Sequence, residues 1–155
     1  MTPTTRKAIA WAALALVIVV LTIIALGHTG PVEQRRIRLL PFQEFPGAIA
    51  CVVQGCLWAG SARRFLLVNG LGNVVVFMPV GMVFYIALTQ QAPELGHPVL
   101  YGLLLGASLS LVFEVAQLWI PGRVTALDDI ILNAAGAWLG SLAMKWASPV
   151  LRPGN

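Results

Sequence analysis

LVFEVAQLWIPGRVTALDDIILNAAG, residues 111–136, joins two apolar segments through Pro121-Gly122-Arg123 and holds three of the chain's six carboxylates, Glu114, Asp128 and Asp129. The setting makes that unusual: 58% of the 155 residues are hydrophobic and only 10% carry a charge. Such a composition points away from a soluble domain and toward the membrane class. The stretch is read here as the end of one membrane-crossing helix, a short connection, and the start of the next.

Working outward, the segments 8–27, 66–88, 98–120 and 128–147 each approach the roughly 20 apolar residues that a helix needs to cross a hydrocarbon core of about 30 Å. Backbone groups in lipid must be satisfied within each segment, so helices are expected and strands are not. The predicted fold is all-α: a single membrane domain over 1–155, built as a four-helix transmembrane bundle. Segment 8–27 follows Arg6 and Lys7 and exceeds the roughly 7 to 15 apolar residues of a signal peptide, so it is expected to stay as an anchor.

The basic linker 28–65 carries Arg35, Arg36 and Arg38 at one end and Arg63 and Arg64 at the other. Within it, 47–59 is apolar but too short to span, which predicts an interfacial or re-entrant segment. Cys51 and Cys56 stand five apart, which on a continuous helix points them roughly 140° apart and argues against a disulfide or a metal site. His28 and His97 read as interfacial polar residues. No metal or cofactor is expected, since paired Cys or His motifs, phosphate loops and Gly-rich nucleotide fingerprints are missing from the sequence.

At about 100° per residue, Gly102, Gly106, Ser110, Glu114 and Gln117 of the third span fall within an arc of roughly 120°. Asp129, Asn133, Gly136 and Gly140 of the fourth fall within roughly 60°. Gly102/Gly106 and Gly136/Gly140 are GxxxG pairs, which let helix backbones approach closely in lipid. Asn69 and Asn73 share a face of the second span, ahead of an expected bend at Pro79 and Gly81.

Because successive spans alternate in direction, the start of the second, the end of the third and the start of the fourth meet at one membrane surface. At about 1.5 Å per residue, Asn69, Asn73, Glu114, Gln117 and Asn133 lie roughly 5 to 10 Å below it. Arg123, Asp128 and Asp129 lie at the surface itself. The predicted site is therefore a polar pocket of Asn73, Glu114, Gln117, Arg123, Asp128, Asp129 and Asn133. An intramembrane carboxylate costs about 2.5 to 3.5 kcal/mol on insertion scales and marks a functional-site hypothesis by default. Glu114 is expected either to pair with Arg123 or to be neutral. The competing reading is structural glue, in which such polar contacts are worth about 0.6 kcal/mol each.

These residues resemble the VanZ-like family of small bacterial membrane proteins. The resemblance rests on Asn73-x3-Phe77-x-Pro79-x-Gly81, Glu114-x2-Gln117, Gly122-Arg123 and Asp129-x3-Asn133-x2-Gly136-x3-Gly140, over about 66–147. It implies a multi-pass protein of the bacterial cell membrane, the inner membrane in a Gram-negative cell, from a family named for a teicoplanin-resistance protein. The chain departs from the family's pattern at Ala126, where members often carry a further acid, a place that Asp128 close by is expected to take.

Two functional classes follow. In one, the pocket recognises the polar head group of an anionic envelope lipid or a lipid-linked cell-wall precursor, with arginine supplying bidentate phosphate contacts. In the other, a membrane enzyme uses Glu114 and Asp129 on a lipid-linked substrate; no nucleophile and base set accompanies them. A structural partner in a membrane complex is a further alternative. The expected partners are the bilayer, such a lipid, or a second copy of the chain, and not nucleic acid. The N-terminus is expected inside, although six arginines then face out, against the positive-inside rule.

Overall fold

The computed structural model describes residues 2–27 and 36–151, with 36 and 149–151 described by backbone alone. The readings of His28 and Arg35 lie outside the described residues.

Helix α1 (Pro3–Leu26) starts at Thr2, whose hydroxyl accepts the Thr5 N–H at 3.3 Å, with Pro3 at the first helical position where no donor is needed. Strand β1 (Arg36–Arg38) and helix α2 (Phe45–Gln54) follow. Gly55 then turns the chain in the left-handed region, φ 65°, a conformation that costs glycine nothing. Helix α3 (Ala59–Phe65) runs on through a π-helical turn (Leu66–Gly72) into α4 (Asn73–Gln91), so Ala59–Gln91 is one apolar helical run of 33 residues. Helix α5 (Pro98–Gln117), strand β2 (Val124–Ala126) and helix α6 (Leu127–Leu151) complete the described chain.

Three of these helical runs, Pro3–Leu26, Ala59–Gln91 and Pro98–Gln117, are long and apolar enough to cross a membrane. Helix α6 is as long, 25 residues, but Asp128, Asp129, Asn133 and Lys145 make it more polar. It packs against both α4 and α5, while α1 lies mainly along α4.

Glycines set the α4–α6 spacing. A side chain at Gly136 would run into the Val74 carbonyl, one at Gly140 into the Met78 carbonyl, and one at Gly81 into the Ala137 carbonyl. The two helices therefore touch backbone to backbone, which dispersion rewards where lipid supplies no hydrophobic drive between helices. On α5, Gly102 faces Ser141 and Gly106 faces Ala137 of α6. The fully buried Ser141 hydroxyl donates to the Gly81 carbonyl at 3.0 Å. Leu14 and Leu21 of α1, Phe77 and Val80 of α4 and Phe113 of α5 form the apolar core, with the two phenyl rings edge to face at 6.4 Å.

The outside is greasier than the inside. Leu16, Ile23, Val75, Leu104 and Val112 are exposed, while Ser110, Glu114, Gln117, Asn133 and Ser141 are buried. A water-soluble protein distributes these residues the other way, and contiguous exposed apolar surface of this kind fits a hydrocarbon environment.

Several expectations change. The third span ends at Gln117, followed by turns, and not at 120. A π-helical turn at Leu66–Gly72, which was not expected, precedes α4, within which Pro79 and Gly81 lie. The linker forms a parallel pair with the connection after α5, Arg36 against Val124, Ile37 against Thr125 and Arg38 against Ala126. Cys51 and Cys56 are disulfide-bonded, their Cα atoms 5.1 Å apart. The assumption of a continuous helix fails because α2 stops at Gln54: Gly55 reverses the chain and returns Cys56, whose N–H donates to the Cys51 carbonyl at 3.0 Å.

Candidate functional site

At the end of the bundle where α1 and α5 finish and α4 and α6 begin lies a cavity of about 450 Å³. Helix α5 contributes Phe113, Glu114 and Gln117, one helical face in its last two turns. Asn69 and Asn73 come from the π-helical turn and the start of α4; Asp129 and Asn133 come from the first two turns of α6. Arg123 enters from the α5–β2 connection after Gly122, whose φ of 77° requires glycine. Leu21, Ile24 and Ala25 of α1 form the remaining wall.

Of the seven residues expected in the pocket, six line this cavity. The seventh, Asp128, is buried and borders an adjoining cavity of about 240 Å³ with Arg38, Glu44 and Ala126; Asp129 borders both. Gly102, Gly106, Gly136 and Gly140 lie deeper, at the α5–α6 and α4–α6 contacts.

The hydrogen bonds tie the elements together around the cavity. The Asn73 amide donates to Asp129 Oδ1 at 2.6 Å and to the Asn69 carbonyl at 3.2 Å. The Asn133 amide donates to the Ser110 hydroxyl at 2.8 Å. Glu114, only 4% exposed, accepts the Ala126 N–H at Oε2 at 2.9 Å, and Thr125 donates back to the Glu114 carbonyl at 3.3 Å. Strand β2 is thereby held to the end of α5.

Glu114 does not pair with Arg123. Among the described residues the one side-chain ion pair is Arg38–Glu44, at 2.6 Å. Arg123 donates instead to the Ala25 carbonyl at 2.5 Å, and Gln117 donates to that same oxygen at 3.1 Å. Ala25 sits in the last turn of α1, where carbonyls lack intrahelical donors and the helix dipole is negative, so a guanidinium is well placed there. Two buried atoms beside the cavity, Arg123 Nε and Asn133 Oδ1, have no hydrogen-bond partner among the described residues.

The contribution of α1 was not expected. Its binding group is a backbone carbonyl, which no residue type announces. The proximity of the linker's Arg38 and Glu44 to Asp128 and Asp129 was missed for a related reason, since it follows from a three-residue strand pairing across distant parts of the chain.

The family model described as VanZ/LLP1 matches residues 11–148, nearly the whole chain. The chain belongs to the VanZ/LLP1 family. The match takes in α1 and the linker as well as the helices that carry the cavity's polar residues. Together with three helical runs able to cross a bilayer, it makes this VanZ/LLP1 protein a membrane protein. No curated protein and no solved structure matches the chain.

Proposed function

We propose that this VanZ/LLP1 protein is a multi-pass bundle in the bacterial cell membrane, with α6 as its fourth crossing, and that its cavity holds the polar head group of an envelope lipid or lipid-linked cell-wall precursor. A fourth crossing is supported by the packing of α6, whose polar and glycine positions face α4 and α5. A helix covered by neighbours tolerates polar groups that lipid would not.

The observation that carries the head-group reading is the pair of buried atoms without a partner among the described residues, Arg123 Nε and Asn133 Oδ1, on two residues that line one cavity at the bundle's end. Buried polar atoms are normally paired, so a donor and an acceptor left over beside about 450 Å³ of space support the reading of a polar ligand there. A guanidinium suits phosphate, and Asp129 can accept from hydroxyls. The cavity's other wall, from Leu21, Ile24 and Phe77, suits the apolar part of an amphiphile.

A purely structural reading is favoured by the bonds that join elements, Asn73 to Asp129 and Glu114 to Ala126. The separating experiment is saturable binding of a labelled, phosphorylated lipid-linked precursor to the purified protein in lipid nanodiscs. The expected result is binding that Arg123→Gln weakens at least tenfold; no saturable binding by the wild type would leave the structural reading. Susceptibility to glycopeptide and lipoglycopeptide antibiotics is the cellular phenotype to score with it.

A further inference from the structure

We infer that the cavity opens to the extracytoplasmic face of the membrane and takes its ligand from the outer leaflet, because the segment fastened over the cavity end carries a disulfide. The clause about the ligand rests on the head-group reading above; the clause about orientation does not.

The argument starts from where the bonded cysteines sit. The Cys51–Cys56 bond closes the turn between α2 and α3, inside the linker that joins α1 to α4. That linker is held at the cavity end of the bundle by two separate contacts. Strand β1 pairs with β2, immediately before the aspartates of α6. The Phe45 ring of α2 packs on Gly70, where an added Cβ would lie 3.3 Å from it, and against the Phe65 ring at 5.2 Å. The disulfide, β2, Arg123 and the C-terminal end of α1 thus belong to one side of the membrane.

Disulfides form and persist in oxidising compartments and are rare in the reducing cytosol. In a protein of the bacterial cytoplasmic membrane, the oxidising side is the outside. The Cα separation of 5.1 Å lies within the usual range for disulfide-bonded cysteines. The other end of the bundle then faces the cytoplasm, with Arg6 and Lys7 beside the first turns of α1 as the positive-inside rule favours. The arginines left outside weigh less against this than their number suggests. Arg38 is committed to Glu44 and Arg123 to the Ala25 carbonyl, so both are retained by the fold's own contacts.

The orientation narrows the ligand class. A soluble cytoplasmic metabolite has no route to the cavity, whereas a lipid-anchored head group displayed on the outer leaflet does.

The wild-type chain contains two cysteines, so their reactivity reports on this pair alone. Spheroplasts expressing the protein are treated with a membrane-impermeant, mass-tagged maleimide, with and without prior exposure to an impermeant phosphine reductant. The expected result is no tag before reduction and two tags per chain after it, without permeabilisation. Tagging without reductant would overturn the disulfide, and failure to tag from outside after reduction would overturn the orientation. The experiment contains no ligand, so a negative binding assay leaves its outcome standing, and an inverted orientation leaves head-group binding to be tested on the other leaflet.

Discussion

Glu114 Oε2 accepts the backbone N–H of Ala126 at 2.9 Å, across the connection that separates α5 from α6. This bond commits one carboxylate oxygen to fixing the connection between the two helices. It also explains why the complementary charges of Glu114 and Arg123 do not meet: Glu114 is taken by an amide and Arg123 by a carbonyl. Backbone groups, not the opposite side chain, decide where both charges rest.

Removing the Glu114 acceptor leaves the buried Ala126 N–H without its partner, a loss of about 1 to 3 kcal/mol for an unsatisfied buried donor. Glu114→Ala is expected to lower the thermal unfolding temperature in detergent, while Glu114→Gln, which keeps an acceptor oxygen, stays near wild type. Equal destabilisation by both variants would show that the charge, and not the bond, holds the loop.

Arg123 and Gln117 share one acceptor, so either can hold α1 in place when the other is gone. Arg123→Ala and Gln117→Ala should each have a modest effect on stability, and the double variant should lose more than the two together by about 0.5 kcal/mol or more. Additive losses in a thermal-unfolding cycle would mean that the two donors do not act on α1 jointly.

Gly136 meets the Val74 backbone, which cannot rotate out of the way as a side chain can. Gly136→Leu should therefore separate α4 from α6, reducing yield and unfolding temperature. Gly60 of α3 is the control: a Cβ there meets nothing within 4 Å, so Gly60→Ala should be neutral or mildly stabilising through helix propensity. Unchanged stability of Gly136→Leu would contradict the close approach.

The helical periodicity was legible because burial and polarity repeat every turn: Gly102, Gly106, Ser110, Glu114 and Gln117 share a face that a 3.6-residue period reveals, and the structure buries all five. The alternation of spans was enough to bring Asn73, Glu114 and Asp129 to one end of the bundle. What stayed hidden depends on events with no periodic signature. Gly55 breaks a helix at one residue, and that alone changes whether Cys51 and Cys56 can meet. Arg38 reaches the site through a strand of three residues whose partner lies far along the chain. The last turn of helix α1 is apolar, so nothing in its composition distinguishes Ala25, whose carbonyl receives both Gln117 and Arg123.

The sharpest division between a working site and packing glue comes from Glu114→Gln and Asp129→Asn. Each replacement keeps the size of the side chain and, in the observed geometry, the bond it already makes: glutamine still offers an oxygen to the Ala126 N–H, and asparagine one to the Asn73 amide. What each removes is the capacity for negative charge beside the cavity. If these residues only hold the helices, an isosteric change should cost little, since contacts of this kind average about 0.6 kcal/mol and the contacts themselves survive. If the site works through charge, both variants should abolish the envelope phenotype of the wild type while membrane abundance stays near normal. Antibiotic susceptibility read alongside immunoblots of the membrane fraction checks this, and the lipid-binding assay in nanodiscs gives the same comparison if abundance falls. Full retention of phenotype and binding by both variants would assign Glu114 and Asp129 to structure; turnover of a precursor by the wild type but not by Glu114→Gln would assign them to catalysis.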